Sequence, residues 1–243
     1  MILTIANQKG GSAKSTTAAA LAQAAAHKGK RCLALDLDPQ GNLSFFLDAN
    51  PNRPGAAELM EGHPAADTIQ RAGTLDVIAA SWSLQTISTS RGSARRLKAA
   101  LDPIAGQYDL IVIDTPPTPG ELQYNALMAS DSLIIPLQAD IVGLQGLYQM
   151  ADTAKQIQQS NPELTIKGYI LTRHGSRSTL ARQLTATIAE RAQEMGIPYL
   201  TAIREAVAIR EAQTLQRDLY EYAPTSKPAQ DYLTLYDRIT GKG

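Results

Sequence analysis

The run Asn7-Gln8-Lys9-Gly10-Gly11-Ser12-Ala13-Lys14-Ser15-Thr16 carries the residue types that bind phosphate. Two glycines let backbone N–H groups converge, and a helix starting behind them would point the positive end of its dipole at the loop. Lys14 would then reach the outer phosphates and the Ser15 hydroxyl would ligate Mg²⁺. Against the general pattern G-x-x-x-x-G-K-[ST], however, the window ending at Ser15 has Gln8 and Ala13 where the two glycines belong. On that pattern alone two readings stand: a phosphate loop, or a glycine-rich turn whose lysine simply sits on the next helix. Three acids, Asp36, Asp38 and Asp114, close apolar runs later in the chain. Carboxylates in such places either face a metal and a water or cap the following helix.

The elements that must position these groups follow from the apolar pattern. Short β-branched runs at 2–6, 31–37, 75–80, 110–113, 132–137, 166–171 and 199–203 read as strands. Helix-type segments at 14–27, 93–105, 120–128, 144–159 and 179–195 lie between them. That alternation predicts an α/β fold, a mostly parallel, doubly wound sheet flanked by helices on both faces. The alanine-rich stretch 18–26 would let its helix approach the sheet closely. The segment 50–73 is rich in Pro and Gly and reads as a surface excursion. At 243 residues the chain is expected to form a single domain, 1–243.

Composition narrows the class. Hydrophobic residues make up 44% and charged residues 19%, enough to build a core and too apolar for general disorder. The one cysteine, Cys32, excludes an intramolecular disulfide framework and fits a reducing cytoplasm. The N-terminal residues lack a secretory pattern, and no apolar run approaches the length of a membrane span. Formal net charge is +0, so a basic surface would have to be local.

The window Lys9-Gly10-Gly11-x-x-Lys14-Ser15-Thr16 resembles the deviant Walker A sequence K-G-G-x-G-K-[ST]-T of the ParA/MinD class of P-loop ATPases, and Asn7-Gln8 before it is similar to the ParA branch. Asp36-Leu37-Asp38-Pro39-Gln40-Gly41-Asn42 resembles the A′ motif of that branch, and Leu110-Ile111-Val112-Ile113-Asp114-Thr115-Pro116-Pro117 its Walker B strand and switch. Ile135-Pro136-Leu137-Gln138-Ala139-Asp140 and Ile209-Arg210-Glu211-Ala212 echo later family blocks. On these windows the chain resembles a small ParA-type partition ATPase without an N-terminal helix-turn-helix domain.

The resemblance implies a P-loop NTPase fold, ATP and Mg²⁺ as cofactors, and slow hydrolysis stimulated by a partner. It assigns nucleotide contacts to Gly10, Gly11, Ser12, Ala13, Lys14, Ser15 and Thr16, and metal contacts to Ser15, Asp36 and Asp114. Lys14 would hold the β- and γ-oxygens and Asp38 would orient the attacking water. Lys9 would cross the interface of an ATP-bound homodimer to reach the partner's phosphates. A ParB-like adaptor and non-specific DNA are the implied partners, with a nucleoid-associated cytoplasmic location. The departure is Ala13, which stands at the family's last loop glycine; if that position needs positive φ, the methyl group costs on the order of 1 kcal/mol.

Charge could supply the DNA surface. Arg173, Arg177, Arg182, Arg191, Arg204, Arg210 and Arg217 face Glu190, Glu194, Glu205 and Glu211 in the C-terminal half, and Arg91, Arg95, Arg96 and Lys98 form a second group. Two other readings share the class. A MinD-like membrane-associated ATPase would use a C-terminal amphipathic helix, but the stripe Tyr232, Leu235, Tyr236 and Ile239 has few cations beside it and reads as core packing. A bacterial tyrosine kinase would end in a tyrosine cluster; here Tyr220, Tyr222, Tyr232 and Tyr236 are interleaved with apolar positions. Ala13 alone favours a scaffold that binds nucleotide without hydrolysing it.

Overall fold

The computed structural model describes residues 1–87, 95–174 and 179–241. The strands are β1 (Ile2–Ile5), β2 (Cys32–Asp36), β3 (Gln70–Ala72), β4 (Leu75–Ile78), β5 (Leu110–Asp114), β6 (Ser132–Leu137), β7 (Thr165–His174) and β8 (Tyr199–Arg204). They form one sheet in the order β3-β4-β2-β5-β1-β6-β7-β8, parallel except for the β3/β4 pair at the edge. The helices are α1 (Lys14–His27), α2 (Asn42–Phe46), α3 (Ala56–Glu61), α4 (Ala65–Thr68), α5 (Arg96–Ala105), α6 (Glu121–Ala129), α7 (Ile141–Gln158), α8 (Thr179–Glu194), α9 (Val207–Thr214), α10 (Leu219–Tyr222) and α11 (Lys227–Thr240).

Strand periodicity sorts the core. Leu3 and Ile5, Cys32 and Ala34, and Leu110 and Val112 point to the face covered by α1, α10 and α11, while Ile2, Leu33, Leu35, Ile111 and Ile113 point to the face covered by α3 and α5. Both faces of the central strands are therefore dry, as the expected doubly wound sheet requires. A third cluster joins β6 and β7 to α7 and α8 through Leu133, Ile135, Leu147, Met150 and Ile188. The alanines of α1 are buried against the sheet, so its small side chains do permit the close approach.

One expectation changes. The Pro- and Gly-rich stretch 50–73 is a surface excursion only in part: residues 50–54 and 61–64 are exposed, but Ala56, Ala57, Leu59, Met60 and Ala65 are buried in the second core cluster, and β3 forms an edge strand. Its glycine content reflects tight docking as well as turns; a Cβ on Gly55 would lie 2.2 Å from the Ala79 carbonyl oxygen. The helix expected at 93–105 is described from Arg96 onward, residues 93–94 lying outside the described residues. The short elements α2, α3, α4, α9 and α10 carry no periodic signal long enough to read.

The C-terminal stripe behaves as core. Tyr232, Leu235, Tyr236 and Ile239 are all buried, and α11 packs on α1 and β8. Among the described residues no helix is long and apolar enough to cross a membrane.

Candidate functional site

Sheet register brings the sequence-predicted acids together. Asp36 on β2 and Asp114 on β5 are direct lateral partners at the C-terminal ends of their strands, and Asp114 is also level with Ile5, the last residue of β1. The loop 6–13 leaves β1 at that same level and leads into α1. Ligands of parallel sheets bind at these strand ends, where a helix N-terminus adds its dipole.

The loop has the shape that the resemblance anticipated. Gly11 (φ 75°) and Ala13 (φ 68°, ψ 33°) are left-handed, and Ala13 is the residue that caps α1. The position of the departure thus does require positive φ, and the alanine methyl group is strained there. Lys14 is buried and donates from Nζ to the Lys9 carbonyl at 3.3 Å. Burial lowers its pKa, against the opposing pull of the Asp114 and Asp38 carboxylates.

Each carboxylate has a distinct environment. Asp36 accepts from the Asp38 backbone N–H at 3.0 Å, the Ser44 N–H at 2.8 Å and the Ser44 hydroxyl at 2.7 Å. Burial nevertheless raises it to about 6, with the Ser44 and Asp38 bonds pulling the other way. Its oxygens pin the turn that carries Asp38, a positioning task that the motif did not reveal. Ser44 is the residue sequence reasoning missed; its hydroxyl also accepts from the Ala80 N–H at 2.8 Å and so joins β2's loop to the end of β4. Asp38 accepts from the Gln40 N–H at 3.0 Å and lies in a groove of ≈ 490 Å³ walled by Pro39, Pro116, Pro117 and Pro119.

Asp114 bears on whether Mg²⁺ fits. One oxygen accepts the Thr115 N–H at 3.0 Å, while Oδ2 is buried without a hydrogen-bond partner. Burial and the neighbouring Asp36 hold its pKa well above the ordinary range, opposed by the Ser15 hydroxyl and Lys14. A buried acceptor with nothing to accept is costly unless a cation or its water completes it. Among the described residues no group of three His, Cys, Asp or Glu side chains is arranged to hold a metal alone. That suits Mg²⁺, which is held by one or two carboxylates together with substrate phosphates. The residues therefore fit Mg²⁺ carried in with a phosphate ligand.

Lys9 stays at home. Its Nζ meets Asp140 Oδ2 at 2.7 Å, and Asp140 in turn caps α7 by accepting the Gly143 N–H at 2.6 Å. Partial burial would raise the Asp140 carboxyl, but the Lys9 ammonium and the Gly143 amide outweigh it and hold it below the usual range. A further cavity of ≈ 100 Å³ opens beside Ala13 and Thr16, lined by Thr172, Arg173 and residues of the β8–α9 turn such as Ala206. Apart from the loop itself, only the sequence window 209–212 touches it, through Ile209 and Arg210, and the fold brings that window to the loop from the far end of the chain.

The arginines divide. Arg191 pairs with Glu194 at 2.8 Å, Arg204 with Asp231 at 2.5 Å and Arg210 with Glu205 at 3.7 Å. Arg217 lies over the Tyr222 ring, and Arg96 reaches the Met60 carbonyl. Arg91 and Arg177 lie outside the described residues. The expected excess of positive charge shrinks, since counting Arg against Glu omitted Asp231.

Comparison with known proteins agrees with this geometry. A family model described as AAA domain matches residues 1–166. The sporulation initiation inhibitor protein Soj of Bacillus subtilis is 34% identical over 100% of this chain and 99% of its own length. The chromosome partitioning protein ParA of Caulobacter vibrioides is 35% identical, covering 99% of this chain and 94% of that protein. A crystal structure of cobyrinic acid a,c-diamide synthase from Mycobacterium smegmatis, with bound ATP analog and magnesium, superposes with a TM-score of 0.83 at 31% identity, over 97% of this chain and 92% of that one. Because the family match runs through every strand from β1 to β6 and the relatives extend over the whole chain, this protein belongs to the AAA-domain family of ParA/MinD-type partition ATPases.

Proposed function

We propose that this chain is an ATP-dependent dimerising switch that binds DNA non-specifically in its ATP state and moves a cargo through a ParB-like adaptor. The observation that carries the nucleotide part is the unpartnered Oδ2 of Asp114, level with Asp36 and beside the left-handed loop. Gly10 through Thr16 bind the phosphates, Lys14 neutralises the β- and γ-oxygens, and Ser15, with Asp114 and Asp36 behind it, faces Mg²⁺. When bound, the metal supplies charge neutralisation for phosphoryl transfer. Asp38, fixed by the Asp36 turn, orients the water. Lys9 exchanges Asp140 for the phosphates of a second copy, which makes dimer formation and completion of the site one event.

Support for the DNA part is weaker in charge than the sequence count implied, and rests on Arg95, Arg173 and Arg182, which are exposed, since Lys98 is paired with Asp102. The test is joint: Mg²⁺-dependent ATP hydrolysis, ATP-dependent dimerisation by light scattering, and DNA binding that falls steeply with salt. Salt-insensitive or ATP-independent DNA binding would sink the switch. The likeness to the amide synthase favours a second reading, ATP-driven amidation; cobyrinic acid left unchanged on incubation with ATP and an amide donor removes it.

A further inference from the structure

A phosphate cradle needs its N–H groups turned inward, and each trans peptide unit carries its carbonyl on the opposite side from its N–H. Turning the N–H groups in therefore means holding the carbonyls out. In this loop the outward carbonyls have donors from outside the motif. The Gly11 carbonyl accepts from Gln138 Nε2 at 2.9 Å, and the Ser12 carbonyl accepts from Thr172 Oγ1 at 3.2 Å. Gln138 directly follows β6 and Thr172 lies in β7, so both reach the loop from neighbouring strand ends.

These two bonds act on the peptide units 11–12 and 12–13. Gly11 and Ala13 have positive φ and Ser12 between them does not. Alternating handedness of this kind makes successive N–H groups converge on an anion. Gly11 adopts its conformation freely, but Ala13 does so at a cost of roughly 1–2 kcal/mol. A strained residue persists only where its surroundings over-determine it. The donors are themselves fixed: the Gln138 carbonyl accepts the Asp140 N–H at 2.9 Å, a Cβ on Gly143 would lie 2.1 Å from that carbonyl oxygen, and Thr172 is buried, its single hydroxyl proton shared between the Ser12 carbonyl and the Leu137 carbonyl at 3.3 Å.

We propose that Gln138 and Thr172 are positioning residues of the phosphate site, holding the Gly11 and Ser12 carbonyls outward so that the Ser12 and Ala13 N–H groups face the phosphates without a glycine at position 13. The inference rests on the nucleotide reading above. Gln138 carries the test because it is half-buried, so that Gln138→Met keeps its length, removes the donor and leaves the fold intact; Thr172→Val, in the core, is the supporting variant.

Binding of fluorescent ADP and ATP is titrated for the wild type, Gln138→Met, Ala13→Gly and the double variant, with the thermal midpoint of each nucleotide-free protein. Gln138→Met should weaken ADP and ATP alike by about five- to tenfold, as loss of one hydrogen bond implies, and raise KM while kcat at saturation is retained. Ala13→Gly should restore most of that loss in the Gln138→Met background and do little in the wild type, because glycine needs no brace; this non-additivity is something a purely structural role would not produce. Wild-type affinity in Gln138→Met, or the same gain from Ala13→Gly in both backgrounds, overturns the proposal while leaving the nucleotide reading intact. A wild-type protein that binds neither nucleotide overturns the nucleotide reading itself, and the brace with it.

Discussion

Around β1, β2 and β5 the acids Asp36, Asp38 and Asp114 are buried with Lys14, whereas along α8, α9 and β8 Arg191, Arg204 and Arg210 stay at the surface and meet carboxylates in pairs. In the first region charge is taken out of water and left partly uncompensated, which raises Asp36 to about 6 and Asp114 well above the usual range. In the second region exposure keeps each pair weak, since exposed ion pairs contribute only about 0–1 kcal/mol. Three buried carboxylates beside a single buried lysine create a demand for a cationic ligand; exposed arginines already answered by acids do not create an equal demand for an anionic one. The nucleotide end of this molecule is thus built into the fold, whereas the arginines of α8, α9 and β8 are a surface feature.

Five substitutions would break or sharpen that contrast. The largest effect is expected at Asp38→Ala, which should keep ATP binding and lower turnover by about 100-fold or more, as loss of a group that orients the nucleophile does; hydrolysis at the wild-type rate would remove Asp38 from the mechanism. Next is Ser44→Ala, which removes one of the three hydrogen bonds to the Asp36 carboxylate and leaves the Ala80 N–H without its partner. It should destabilise the protein by about 2 kcal/mol in a denaturant titration, and an unchanged midpoint would mean that the buried acids are not held as described.

On the other side of the comparison, Arg182→Ala should reduce the slope of log affinity for DNA against log salt by about 1. Arg204→Ala, whose guanidinium is already committed to Asp231, should leave that slope unchanged; a reversal of the two results would place the DNA surface at β8. The smallest effect is Ala13→Gly in the otherwise wild-type chain. Relief of left-handed strain is partly cancelled by the greater freedom of glycine in the unfolded chain, so stability should rise by less than about 1 kcal/mol. A larger gain would mean that the braces from Gln138 and Thr172 do not hold the loop.

How much of this was legible in the residues varies by position. The strand and helix alternation sufficed for the parallel sheet, because each β1- or β5-like run is dry on both faces and therefore continuously apolar. The stretch 50–73 misled, since Pro and Gly signal a change of direction without saying whether the chain turns toward solvent or into the core. Asp36, Asp38 and Asp114 could be picked from their windows, but the task of Asp36 in pinning its own turn could not, because its partner Ser44 is an ordinary helix residue until the fold places it there. The pairing of Arg204 was illegible for the same reason: Asp231 is remote in the chain and adjacent in space.

The sequence alone determined the local chemistry. It showed which residues could meet phosphate and metal, that position 13 would be strained if left-handed, and that the C-terminal stripe reads as core packing. Tertiary structure decided everything that depends on register and crossover: that Asp36 and Asp114 lie side by side, that Lys9 rests on Asp140, that Gln138 and Thr172 reach the loop, and that the arginines find acids. The reason is physical. Residue type sets what a group can do, but strand pairing sets its neighbours, and in a parallel sheet those neighbours are supplied by crossovers from distant parts of the chain.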